Sequence, residues 1–262
     1  MFGVYFCFFE NKIKMDEIPA EWLLTETELS CYNKQLTSLP DSIWNLNNLT
    51  FLDCGYNQLS SLSNSICNLI NLLELHCDNN HLTSLPDSIG NLSNLQVLEC
   101  HNNNLSSLPN SIGNLINVRK LHCDRNKLIN LPDSICHLNN LRELTCASNQ
   151  LTKLPDSLKK LVNLQVLACG GNQITNLLDV LDYLSDLQEL YYYNTQINSL
   201  ELPDLITNLV KKDETINTST EFKSFAKMKK VLREMKLPLI KRALCDQLII
   251  DLDVVSVILL FY

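Results

Sequence analysis

The chain has 262 residues, 45% hydrophobic and 19% charged, which is ordinary for a soluble protein and ample for a large buried core. A formal charge of −8 and a pI near 5.1 argue against general nucleic-acid binding, which needs a basic face to displace counterions. No run of about twenty apolar residues occurs, so no transmembrane segment is predicted.

Residues 1–22 are read as an N-terminal tail or cap. The opening MFGVYFCFF is short for a secretory core, with no basic residue before it and no small-residue cleavage site after it. Met15 begins the more ordinary MDEIPAEWLL, so residues 1–14 are expected to be a frayed tail or to lie upstream of the true start. The chain has 11 cysteines, an odd count in a chain that is not short, which points to a reducing, cytoplasmic compartment rather than a disulfide scaffold.

From residue 23 the sequence repeats. Cysteines recur at 31, 54, 77, 100, 123, 146 and 169, and a leucine stands two residues before each. Asparagines recur with the same spacing: Asn57, Asn80, Asn103, Asn126, Asn149 and Asn172. Eight units of 23 residues fill 23–206, and such regularity is the mark of a solenoid. The unit reads L-x-x-L-x-C-x-x-N-x-L-x-x-L-P-D-S-I-x-N. It resembles the leucine-rich repeat family, and within it the intracellular 23-residue LPxxI class of Ras-binding and Scribble-like scaffolds. That resemblance implies an α/β solenoid, a right-handed horseshoe with a parallel β-sheet on its concave face and short 3₁₀ or helical convex segments. It also implies a non-enzymatic protein that binds other proteins.

The alternation L-x-C has the period of a strand, so Leu75 and Cys77 face inward while Glu74, His76 and Asp78 face outward. LHCD at 121–124 therefore reads as core cysteine, not as a metal-ligand run, because its Cys faces away from its His and Asp. The asparagines are expected to form a structural ladder, their amides satisfying backbone groups where the chain turns. The proline of LPDSI is expected at the first helical position. Lys34 and Thr195 hold the asparagine position in the end units, and Ser63 and Leu178 replace the proline.

Stacked in register, the outward positions form three columns. The first contains Glu74, Lys120, Glu143 and Glu189; the second Asp53, His76, Glu99, His122 and Tyr191; the third Asp78, His101, Asp124 and Tyr193. These are the candidate binding residues: an acidic face for a basic protein partner, with the tyrosines as an anchor beside a bare patch of Ala147, Ala168, Gly170 and Gly171. Tighter binding on mild acidification is expected. A weak metal-binding cluster, either Asp53, His76, Glu99 and His122 or Asp78, His101 and Asp124, is the alternative. It is disfavoured because flat columns offer poor tetrahedral angles, so neither metal nor cofactor is expected.

Residues 207–262 carry 10 Lys/Arg against 7 Asp/Glu, whereas 23–206 carry 9 against 18, which places a boundary near 206. KKDETINTST at 211–220 reads as a linker, and Thr218 with Glu221 opens a basic amphipathic helix to about Met235. That helix and the apolar residues after Pro238 are expected to cap the solenoid; a structural module making its contact through this helix is a second reading. With 6 glycines, no phosphate loop, no HExxH and no GxSxG, no enzyme is predicted. Richness in Asn, Leu and Ile suits an AT-rich genome. The partner expected is another protein, with a host protein or a small-GTPase pathway component as candidates, no nucleic acid, and a monomeric state; with a host partner, the host cytoplasm is the location.

Overall fold

The computed structural model describes residues 25–181 and 183–192. Eight three-residue strands, β1 (Glu28–Ser30), β2 (Phe51–Asp53), β3 (Glu74–His76), β4 (Val97–Glu99), β5 (Lys120–His122), β6 (Glu143–Thr145), β7 (Val166–Ala168) and β8 (Glu189–Tyr191), form one parallel sheet in sequence order. Each pairs with the next at an offset of one repeat: Glu74 with Val97, His76 with Glu99, Glu99 with His122. Among the described residues, the return path of the first six units is a 3₁₀ turn, as at Asp87–Asn91 and Asp133–His137, and that of the seventh is a short helix, α1 (Leu178–Leu181). The architecture is the α/β solenoid horseshoe read from the repeat.

One file of leucines and one of cysteines run beneath the sheet. Leu52, Leu75, Leu98, Leu121, Leu144 and Leu167 are fully buried, and so are Cys54, Cys77, Cys100, Cys123, Cys146 and Cys169. The isoleucines of the convex turns, Ile66, Ile89, Ile112 and Ile135, close the core from the other side. A single unit has no core of its own, so burial comes from stacking.

The asparagine ladder joins the units. Asn103 donates from Nδ2 to the carbonyls of Cys77 (3.0 Å), Cys100 (3.2 Å) and His101 (3.2 Å), and its Oδ1 accepts the Leu82 N–H at 2.9 Å. Asn57, Asn80, Asn126, Asn149 and Asn172 are likewise buried and repeat the pattern. The residue before each ladder asparagine is left-handed: φ is 51° at Asn79, 50° at Asn102 and 63° at Gly171. Tyr56, Arg125 and Ser148 hold the same conformation at a steric cost of about 1–2 kcal/mol each.

The proline lies one position earlier than expected. Pro86 and Pro132 are N-caps at φ −67°, and the Pro86 carbonyl accepts the Ile89 N–H at 3.0 Å. A residue with no N–H and a fixed φ suits an extended cap whose carbonyl starts the turn. Ser63 substitutes chemically, its hydroxyl accepting the Ser65 N–H at 3.2 Å. In the unit where Leu178 replaces proline, the turn becomes α1, with Leu181 N–H donating to the Leu177 carbonyl at 3.0 Å. A second, exposed ladder was not anticipated: Asn71, Asn94, Asn117, Asn140 and Asn163 each donate at 2.8–2.9 Å to a carbonyl 24 residues earlier.

The described cysteines are free thiols. Burial raises the thiol pKa to about 12 at Cys31 and Cys169, and well above its ordinary value in the file between them.

Two outcomes follow from this packing. Asn103→Leu leaves several buried backbone groups unpaired and is expected to cost about 3 kcal/mol in urea-denaturation stability. In the folded protein at pH 8, iodoacetamide is expected to modify the partly exposed Cys67 while sparing Cys77, Cys100 and Cys123, as read by peptide mass spectrometry.

Candidate functional site

The sheet register sets the concave face. Strand alternation points Leu75 and Cys77 into the core and leaves Glu74, His76 and Asp78 on the opposite side, one repeat from their counterparts in the neighbouring units. Acidic and imidazole groups consequently interleave across β3–β6.

His122 stands at the centre of this array. Its Nδ1 is 3.6 Å from Glu99 Oε1, and its Nε2 is 3.1 Å from Glu143 Oε1. Lys120 Nζ reaches the other Glu143 oxygen at 3.6 Å. Burial alone would lower the His122 pKa, but the Glu99 bond and the charges of Glu143 and Glu99 outweigh it and raise it. Glu99 is held below the ordinary carboxylate value, first by the His122 hydrogen bond, against burial and with help from the charges of His76, His122 and His101.

The other predicted residues fall into smaller groups. His76 Nε2 is 3.5 Å from Glu74 Oε2, and its ring meets Phe51 edge-on at 5.1 Å. Burial raises the Asp53 pKa, although its carboxylate accepts the Gly55 N–H at 2.9 Å and a Ser30 hydroxyl bond at 3.4 Å. Asp124 accepts the Thr145 hydroxyl at 2.7 Å. Tyr191 donates to Glu189 Oε2 at 3.0 Å and stands in register with Ala168 of β7. Tyr193 and the helix expected from Thr218 lie outside the described residues.

Asp78 departs from the expected solvated position. Only 7% of it is exposed. Asn79 Nδ2 donates to its Oδ2 at 2.6 Å, and His101 Nε2 lies 3.6 Å from the same oxygen. Room for this carboxylate comes from Gly55, where a Cβ would lie 2.9 Å from Asp78 Oδ1. Asp78, Glu99 and His101 each offer a ligand atom within 4.8 Å of the others. This set differs from both clusters expected from sequence: Glu99 takes the place of Asp124, which faces Thr145 instead. Sequence reasoning also missed the Tyr32–Tyr56 ring pair, 5.0 Å apart at the rim. Its signal was Tyr56, an aromatic residue at the left-handed turn position.

The His122 pairs give a signed pH dependence. A raised histidine pKa contributes its stability in full below the ordinary value of 6.5 and loses it as pH rises through the folded value. A lowered carboxylate pKa contributes above the ordinary 4.5 and loses it as pH falls through the folded value. His122→Gln is therefore expected to destabilise the protein by about 1 kcal/mol between about pH 4.5 and 6.5, with the difference shrinking towards pH 9. Urea midpoints across pH check this; a difference constant from pH 4 to 9 would contradict it.

The leucine-rich repeat region profile matches residues 27–103 and 78–150, and the two-copy leucine-rich repeat profile matches 139–183. No curated protein sequence matches. A leucine-rich repeat protein of Leptospira interrogans is similar in structure, with a TM-score of 0.63 and 32% identity over 65% of this chain and 43% of that one. The leucine-rich repeat ectodomain of the plant membrane receptor kinase GASSHO1/SCHENGEN3 from Arabidopsis thaliana, in complex with Casparian strip integrity factor 2, gives a TM-score of 0.57 and 30% identity. That match covers 61% of this chain and 20% of the ectodomain, so the chain spans less than half the length of either structure. Among the described residues, no helix is long and apolar enough to cross a membrane. With the repeat, the sheet and these matches in agreement, the chain belongs to the leucine-rich repeat family.

Proposed function

We propose that the acidic concave face binds a basic segment of another protein, without catalysis. The observation that carries this reading is the carboxylate array across the sheet, Glu74, Glu99, Asp124, Glu143 and Glu189 among its members, with Lys120 as its lysine. Complementary charge accelerates encounter and fixes register, while aromatic anchors contribute most of the affinity. Tyr191, in register with the small side chain of Ala168, fits the anchor role.

Charge balance on this reading reverses the expectation of tighter binding on acidification. Histidines that interleave with carboxylates cancel acidic charge when protonated, so acidification weakens attraction for a basic partner instead of strengthening it.

The test uses the full chain and a Glu74→Gln, Glu143→Gln, Glu189→Gln variant, which leaves Asp78, Glu99 and His101 untouched. Fluorescence anisotropy with a labelled Lys/Arg-rich peptide is expected to show affinity reduced about tenfold in the variant, and reduced for the wild type at high salt. Affinity capture from lysate with both baits then identifies partners lost with the charge. Equal peptide affinity in the two proteins would overturn the reading.

A further inference from the structure

Beneath the acidic face, three side chains converge in a way that solvated surface charge does not require. Glu99 and His101 are two residues apart along the same unit, so strand alternation turns them to one side. Asp78 belongs to the preceding unit and holds the position equivalent to His101. Two ligands along one unit and a third across from them make a triangle, not the flat file that the column pattern suggests.

The distances fit a small cation. The ligand atoms lie within 4.8 Å of one another, and His101 Nε2 is already 3.6 Å from Asp78 Oδ2. Bonds of about 2.0–2.2 Å to nitrogen and oxygen put tetrahedral ligands about 3.4 Å apart, within reach of a rotation of the long Glu99 side chain.

The lining points the same way. His101 turns its Nε2 toward Asp78, and its other ring nitrogen, Nδ1, is buried without a hydrogen-bond partner among the described residues. Asp78 is a carboxylate sunk to 7% exposure, and an anion at that depth needs a counter-charge. A divalent ion coordinated by Asp78 and the neutral His101 ring supplies that counter-charge. The surroundings provide the orienting contacts that metal ligands need. Asn79 Nδ2 fixes Asp78 at 2.6 Å, and His122 holds Glu99 from the next strand at 3.6 Å.

We propose that Asp78, Glu99 and His101 form a divalent-cation site in the concave face, with zinc as the matching ion. One imidazole and two carboxylates are nitrogen and oxygen donors suited to zinc, and three protein ligands leave a fourth position for water or for a donor from a bound partner. This site goes beyond the electrostatic reading of the face, and its test needs no partner, so either idea can fail without the other.

The experiment is titration of the reduced full chain with zinc alone, by calorimetry, followed by cobalt substitution and absorption spectroscopy. One equivalent of zinc per chain is expected, with affinity reduced at least about tenfold in His101→Gln and in Glu99→Gln, and unchanged in His137→Asn on the convex side. Circular dichroism of each variant separates loss of a ligand from loss of the fold. The cobalt form is expected to show weak visible bands without a thiolate charge-transfer band. Absence of stoichiometric binding, equal affinity in folded His101→Gln, or a thiolate band that assigns the metal to cysteine would each overturn the proposal.

Discussion

The horseshoe rests on a buried side-chain amide at the end of each strand from β2 to β7. Where the chain leaves the sheet it must turn, and its carbonyls and N–H groups lose their partners inside a dry core. Asn103 meets this with one side chain, donating to carbonyls in its own unit and the unit before it and accepting an N–H from that earlier unit. An unpaired buried group costs about 1–3 kcal/mol, so no apolar residue could occupy the position. Sheet register, the depth of the leucine file and the alignment of the concave columns all require that turn to repeat identically.

Period and alternation were enough to read the architecture, because a solenoid's long-range contacts repeat a local rule. Leu75 and Cys77 face inward as the two-residue period requires, and the asparagine column was legible in the repeat, its amides reaching backbone carbonyls as Asn80 does Cys54. The exposed ladder of Asn71, Asn94 and Asn117 obeys the same period and could have been found, but surface asparagine attracts no attention in a sequence rich in it. The proline's place could not be read to one residue, since N-cap and first-turn positions tolerate it for similar reasons. Asp78 was harder still: its burial depends on Asn79, His101 and the missing side chain of Gly55, a three-dimensional coincidence that no column expresses.

The same contrast governs the concave face. Sequence counted its carboxylates, but a count treats every charge as equally available. In three dimensions Glu99 is committed to His122, Asp124 to Thr145 and Glu189 to Tyr191. A face built this way is ordered before anything binds to it, which lowers the entropic cost of meeting a partner. Its histidines are threaded among the carboxylates that compensate them, so local charge is set by pairs rather than by the net total.

The asparagine ladder also has a direction. Each amide reaches back, from Asn80 to Cys54 and Leu59, from Asn103 to Cys77 and Leu82, and from Asn172 to Cys146 and Leu151, so each of the first six units is sealed by its successor. A unit that opens therefore strips its predecessor of inter-unit bonds and leaves its successor's amide with only the bonds to its own unit. The two ends of the array are unequal for this reason. Along the ladder from Asn57 to Asn172 the seal points one way, from each unit to the one before it.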